Sequence, residues 1–327
     1  MAKRYLVTGG TGFLGSALVR RLLADGHVVR VFDNNSRGRA SRLSDIDGRF
    51  EYVEGDIRDA AATMRACESV DVICHLAFVN GTEFFYTKPD LVLDVAMKGM
   101  INVIDAGMAC KVHDLMVMSS SEVYQEPRRV PTDESVALTI PDPLNPRYSY
   151  AGGKIMSEIM AINFGRYFKR VTIVRPHNVY GADMGREHVI PQFVARLAAL
   201  QAHPADPIPF TIQGTGTQTR SFVHVDDFID GVMIGIDKGE HLNIYHVGTM
   251  EEVSVDALAR LVAAQFGRPI KIVPGPPAEG GTNRRCPDIT KMMKLGFQPK
   301  FNLSEALPGV VAWYRAHPAP EPARSSS

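Results

Sequence analysis

The segment "LVTGGTGFLG", residues 6–15, decides the fold. Its apolar start reads as the end of a buried strand, and its end opens a helical period in which Leu14, Leu18 and Leu22 recur every four residues. Between them the glycines fall in two overlapping registers, Gly9, Gly12, Gly15 and Gly10, Gly12, Gly15. Glycines at a strand-to-helix turn let the backbone approach a pyrophosphate and leave the free N–H groups of the helix N-terminus facing its charge. Asp25 and Gly26 then stop the helix, and a second apolar run, "HVVRVF" at 27–32, leads to Asp33. Asp33 lies eighteen residues past Gly15, close to the spacing of a carboxylate that takes the hydroxyls of an adenosine ribose. Such a carboxylate repels a 2′-phosphate and favours NAD over NADP, whereas Arg37 and Arg39 in the same loop pull the other way.

Further along, "FEYVEG", "VDVICHLA", "HDLMVMSS" and "VTIVRP" read as more buried strands alternating with amphipathic stretches. That alternation predicts an α/β fold, a doubly wound parallel sheet with crossover helices. From about residue 176 the pattern loses its regularity, and "ADMGREHVIPQF", "HPADPIPF" and "VPGPPAEGGTN" mark loops of a smaller C-terminal substrate-binding lobe. The expected division is 1–175 with about 220–248 as the nucleotide-binding domain, and 176–219 with 249–317 as the lobe. The last stretch, 318–327 in "HPAPEPARSSS", is expected to be a disordered tail. A ligand cleft belongs between the two parts.

With 45% apolar residues, the 327-residue chain can build a large core. Lys plus Arg equals Asp plus Glu at 36 each, leaving no basic surplus for nucleic acid or an anionic membrane. The apolar run in "MAKRYLVTGG" is too short for a signal-peptide core and no later stretch approaches a membrane span, so a cytoplasmic location is expected. Cys67, Cys74, Cys110 and Cys286 lack metal-ligand spacing and read as reduced thiols.

The segment "NPRYSYAGGKIMSE", 145–158, sets Tyr150 and Lys154 four apart on a helix whose apolar face is expected to continue through Ile155, Ile159 and Ile162. An ammonium one turn from a phenol stabilises the phenolate, which would make Tyr150 a usable proton acceptor. Together, "TGGTGFLG", "GDIRD", "HLAF", "SSSEVY", "YSYAGGK", "RPHNVYG" and "GTGTQTRSFVHVDD" occur in the order seen in one family. The chain resembles the extended short-chain dehydrogenase/reductases, the NAD-dependent nucleotide-sugar epimerases and dehydratases, over about residues 4–300. The resemblance implies a Rossmann-type sheet, NAD as cofactor, a nucleotide-diphosphate sugar as substrate and a homodimer. It implies cofactor contacts from Gly9, Gly12, Phe13, Leu14, Gly15, Asp33, Asn34, Asp56, Ile57, Leu76 and Ala77, with Lys154 on the nicotinamide ribose. Ser120 would orient the substrate O4 and Tyr150 would exchange its proton. Ser121, Asn178, Arg220 and Arg285 would bind substrate, the two arginines gripping the diphosphate. His188 stands where it either touches the sugar or starts a helix. Arg284 reads as a surface residue, and Asp226 and Asp227 as local structural ones.

Glu122 needs its own reason. Plain 4-epimerases usually have a small residue there, and 4,6-dehydratases have Asp then Glu, whereas this chain has Ser121 then Glu122. The Ser-Glu pair and "RRCPDITKMMKLGFQP" resemble UDP-glucuronate decarboxylases. The expected reaction is epimerisation through a transient 4-ketone with NAD regenerated each cycle. Decarboxylation or dehydration using Glu122 at C5 stays open, as do C5 or C3 epimerisation and a non-catalytic NAD(P)-binding regulator. Two departures from the family pattern are Ala96 in place of a common Asn, and Gly152 with Gly153 inside the catalytic helix, which predict a close approach to cofactor or a neighbouring helix. The dimer would form through Leu91–Cys110 and the Tyr150 helix, with Met97, Met100, Met108, Met156 and Met160 supplying apolar surface.

Overall fold

The structure, a computed structural model, describes residues 2–276 and 281–318. The tail from Ala319 onward lies outside the described residues. The six expected strands form: β1 (Arg4–Thr8), β2 (Val28–Asp33), β3 (Glu51–Glu54), β4 (Val72–His75), β5 (Asp114–Met118) and β6 (Arg170–Pro176). A seventh strand, Asn243–Val247, pairs with β6, and the sheet runs in the order Asn243–Val247, β6, β5, β4, β1, β2, β3. Every pairing is parallel. The chain winds away from β1 in both directions, so a crevice opens beyond the carboxyl ends of β1 and β4, where such sheets hold their ligands.

Both faces of this Rossmann-type sheet are covered, which is why its strands read as continuous apolar runs. Side chains alternate between the faces. Tyr5 and Val7 pack with Leu18, Val19 and Leu22 of α1 (Phe13–Ala24) and with Phe228 and Val232 of the helix Val225–Lys238. Leu6 joins Ala66 of α2 (Ala60–Cys67), Val103 of α4 (Pro89–Ala109) and Ala161 of α5 (Ser149–Asn163). Between α2 and α4 lies the short helix α3 (Thr82–Thr87). Each fully buried aliphatic side chain contributes about 1.5–3 kcal/mol, so this two-sided burial fixes the layers more firmly than local propensity. α1 ends at Ala24, followed by Gly26 at φ +81°. A separate core gathers Phe193 and Leu197, Phe210, Leu258 and Val262, and Leu307 and Val311. No helix among the described residues is long and apolar enough to cross a membrane. All four cysteines are free, Cys110 alone being partly exposed.

α5 is inside out. Tyr150, Lys154, Ser157 and Glu158 point inward, while Met156 and Ile159 are 43% and 45% exposed. The expected apolar face divides, with Ile162 packed against the core and Ile159 outside. A polar stripe can face inward because its partners are built in: Arg175 Nη2 lies 2.5 Å from Glu158 Oε2, Ser119 donates to the same carboxylate, and Lys154 Nζ donates to the Met118 carbonyl at 2.7 Å. α4 likewise exposes Leu93 and Ile101. Of the methionines expected at the surface, Met100 is fully buried, Met108 and Met160 pack on the core, and Met156 is exposed. A Cβ on Gly153 would sit 2.8 Å from the Ala96 Cβ, so the small residues on both helices are explained by their close approach. Gly152 meets no such neighbour, its nearest being Ile140 at 3.9 Å.

Candidate active site

A cleft of about 540 Å³ opens at the carboxyl ends of β1, β4 and β5, continuous with a recess of about 110 Å³ at the end of β2. At its floor Gly12 starts α1 with no side-chain cap, leaving the helix N-terminus open to an anion. A Cβ on Gly15 would collide with the Gly9 carbonyl oxygen, so the turn tolerates only glycine there. Asp33 ties this turn to the end of β2: its Oδ2 accepts from Thr11 N at 3.0 Å and its Oδ1 from Asn35 N at 2.8 Å. Each carboxylate oxygen keeps a further acceptor site, so Asp33 can hold the loop and still take a ribose hydroxyl. In the recess Asn34 Nδ2 donates to Asp56 at 3.0 Å, and the Arg58 guanidinium beside Asp56 holds its carboxyl down at about 2. Ile57, Leu76 and Ala77 complete the wall. Thr8 Oγ1 accepts from Leu76 N and Ala77 N at 3.2 Å each and pairs with His75 Nδ1 at 2.9 Å. Burial keeps His75 neutral, its pKa near 3. An open helix N-terminus, a turn that admits close backbone approach and an adjoining recess together fit a dinucleotide.

Ser120 stands two residues past the end of β5 and caps the turn Ser121–Tyr124, its Oγ accepting from Glu122 N at 3.1 Å and hydrogen-bonding the Tyr150 hydroxyl. The Tyr150 ring stacks on Phe85 at 4.7 Å and meets Phe78 edge-on at 5.2 Å. Burial pushes its phenol above the usual range, against the pull of the Ser120 hydrogen bond. The Lys154 ammonium stands one turn away, 5.8 Å from the Tyr150 ring centre. Lys154 Nζ is turned to the Met118 carbonyl and lies 3.7 Å from the Phe78 ring centre, and burial brings its pKa down to about 7, with Glu158 opposing.

The other end of the cleft is cationic. Arg285 Nη1 donates to Glu122 Oε1 at 2.6 Å, and Arg147 Nη2 stands 4.0 Å from Oε2. Burial raises the Glu122 pKa, but Arg285, Arg147 and Arg220 outweigh it and hold the carboxyl below its ordinary value. Arg220 and Arg285 are register partners on the adjacent strands Thr219–Ser221 and Arg284–Arg285. Burial, then the charge of Arg285, brings Arg220 to about 10, so it stays cationic at neutral pH. Asn178 lines the cleft at φ 39°, its amide donating to the Ser221 carbonyl at 2.9 Å, and Ser121 and His188 line it too. His188 is also the N-cap of the helix Val189–Ala199. Arg284 is exposed and pairs with Glu252, while Asp227 accepts from Lys300 N and Phe301 N at 2.9 Å each.

Sequence reasoning missed Arg147, Phe78, Phe85 and the buried Glu158–Arg175 pair. Glu158 carried a signal, since it continues the Tyr150, Lys154 spacing by one more turn.

The model of the NAD dependent epimerase/dehydratase family matches residues 5–248. The chain belongs to this family. It is 33% identical to UDP-glucuronic acid decarboxylase 2 of Arabidopsis thaliana over 95% of this chain and 68% of that protein. It is also 33% identical to UDP-glucose 4-epimerase of Mycolicibacterium smegmatis, over 95% and 98% of the two chains. Among solved structures it resembles the NAD-bound dTDP-glucose 4,6-dehydratase DesIV of Streptomyces venezuelae, with TM-score 0.85, 29% identity and coverage of 96% and 97%. NAD is the cofactor of this epimerase/dehydratase family, whose members include nucleotide-sugar epimerases, decarboxylases and dehydratases.

Proposed function

We propose that the protein is an epimerase of a nucleotide-diphosphate sugar, working through a transient 4-ketone and regenerating NAD in each cycle. The carrying observation is the state of Glu122. A carboxylate held below its ordinary pKa by Arg285, Arg147 and Arg220 is a weak base, poorly matched to removing a C–H proton, and serves better as a fixed acceptor for sugar hydroxyls. Chemistry then falls to the hydrogen-bonded pair at O4. Ser120 orients the hydroxyl, and Tyr150, drawn toward its phenolate by the Lys154 ammonium and by the positive nicotinamide of bound NAD, takes its proton and later returns it. Bound NAD, held by the glycine turn, Asp33 and the Asp56 recess with Lys154 at its nicotinamide ribose, supplies the acceptor and donor of a hydride. Arg220 and Arg285 grip the diphosphate. On this reading the substrate lobe is 176–219 with 249–317, and the remainder to 317 is the NAD-binding domain.

A second reading has one specific support. Three guanidiniums around one carboxylate leave a positive surplus that suits a uronate carboxyl, as in the UDP-glucuronic acid decarboxylase relatives. Incubation in D2O with UDP-, dTDP-, GDP- and CDP-sugars, UDP-glucuronate included, separates the readings by NMR and mass. An isomer without deuterium supports 4-epimerisation. Deuterium at C5 or C3, or loss of CO2 or water, overturns it.

The exposed Leu93 and Ile101 on α4, with Met156 and Ile159 on α5, support a homodimer through these helices. Light scattering should give the mass of two chains, and Ile159→Arg that of one. A single-chain mass for the unaltered protein overturns the dimer.

A further inference from the structure

Arg37 and Arg39 are the two cations presented by the loop after β2, and nothing in the proposed chemistry uses them. Arg37 lines the same recess as Asp33, Asn34 and Asp56, and Arg39 lines the adjoining cleft. Their loop is pressed onto the glycine turn, with Arg39 N donating to the Thr11 carbonyl at 3.0 Å. A free guanidinium beside an adenosine ribose is a ready partner for a 2′-phosphate, since its planar fork matches phosphate oxygens in pairs. Neither of these is free. Arg37 donates to Glu187 and lies over the Phe84 ring at 4.5 Å. Arg39 donates to Asp183, which also accepts from Arg42 Nε at 2.8 Å. Both carboxylates come from one segment, 181–188, more than a hundred positions away in the chain and lining the opposite wall of the cleft. Asp33 meanwhile spends part of its acceptor capacity on Thr11 N and Asn35 N, which softens its repulsion of a phosphate.

We infer that Asp183 and Glu187 are cofactor-selectivity residues: by pairing with Arg39 and Arg37 they cancel the cations that would otherwise draw NADP into the site. Stability is not what these pairs supply. Their side chains are 33% and 34% exposed for Arg37–Glu187 and 56% and 27% for Arg39–Asp183, a range in which ion pairs contribute little to folding. Cancelling charge beside the nucleotide is a role that such exposure does not remove.

The test is direct binding of NAD and NADP, by calorimetry, to protein stripped of nucleotide. Five proteins are compared: unaltered, Asp33→Ser, D183N/E187Q, all three changes combined, and that combination with Arg37→Gln and Arg39→Gln added. Asp33→Ser alone should raise affinity for NADP relative to NAD only modestly, because the arginines remain paired. Adding D183N/E187Q should raise that ratio by a further factor of about ten or more, as two charge-assisted donors become available, and added salt should shrink the gain. Restoring the balance with Arg37→Gln and Arg39→Gln in the combined variant should abolish the gain. An equal loss of NAD and NADP binding would show that the pairs only tie the two walls together and would overturn the inference. So would a full gain from Asp33→Ser alone, or no change on adding D183N/E187Q.

Discussion

At the cofactor end of the cleft, Gly9, Gly12, Gly15 and Asp33 follow one another through a single strand, turn, helix and strand, and even the tie between Thr11 and Asp33 spans only 22 positions. At the substrate end, Glu122 and Arg285 stand 2.6 Å apart after a separation of 163 positions, joined by Arg147 from the approach to α5 and Arg220 from another strand. The first end is built by local turn chemistry, and the second exists only once the whole chain has folded. A local site shows itself in spacing. A convergent one shows at most which residue types stand ready.

The sharpest way to break this comparison is at the point where the two ends meet. Tyr150→Phe should lower turnover about a thousandfold while NAD stays bound, since it removes the proton carrier and leaves the ring stacked on Phe85. Retained turnover, read in the same assay, would take the acid/base role from Tyr150. At the local end, Gly15→Ala forces the new methyl into the Gly9 carbonyl oxygen, and NAD affinity should fall by about ten- to a hundredfold with the substrate end untouched. Fluorescence titration with NAD reads this directly, and unaltered affinity would show the turn to be more yielding than its packing implies.

At the convergent end, Glu122→Gln should cost only about tenfold in kcat/KM, because the amide keeps an acceptor for the sugar while losing its charge. A thousandfold loss confined to kcat would make Glu122 a base instead. Its linkage to stability has a definite sign. The folded-state pKa is lowered, so the Arg285 pairing stabilises the protein above the ordinary carboxylate range and is lost as pH falls through the lowered value. Melting temperatures of the two proteins should therefore converge in acid. The last comparison, at Lys154, is read through stability. Its pKa falls from 10.5 to about 7 on folding, so the cost of burying the ammonium is full below about 7 and vanishes above 10.5. Lys154→Met should lose activity yet melt higher than the unaltered protein at pH 6, with the margin narrowing as pH rises. A lower melting temperature at pH 6 would mean that the Met118 and Phe78 contacts outweigh burial.

Much of the fold was legible. The six strands, the stop of α1 at Gly26 and the glycine turn follow from apolar runs and turn residues, which depend on near neighbours. What escaped did so for physical reasons. Ile155, Ile159 and Ile162 looked like an inward face because apolar periodicity normally marks the core. Here Glu158, Lys154 and Tyr150 take the inside, satisfied by Arg175, Ser119 and the Met118 carbonyl from distant strands. The one-turn spacing of Tyr150 and Lys154 puts the ammonium 5.8 Å from the phenol ring centre, but its hydrogen bond to the Met118 carbonyl comes from a distant strand that spacing could not show. Asp183 and Glu187 carried no sequence signal, since only folding brings them to Arg39 and Arg37.

The central claim is that a hydride leaves C4 of the sugar and returns to it within one bound cycle. Turnover of a nucleotide-sugar substrate deuterated at C4 tests this most directly, with product and released nucleotide read by NMR and mass spectrometry. The account predicts an isomer that keeps the label at C4, with no reduced cofactor released into solution. Label lost to solvent, or reduced cofactor accumulating in step with product, would contradict it.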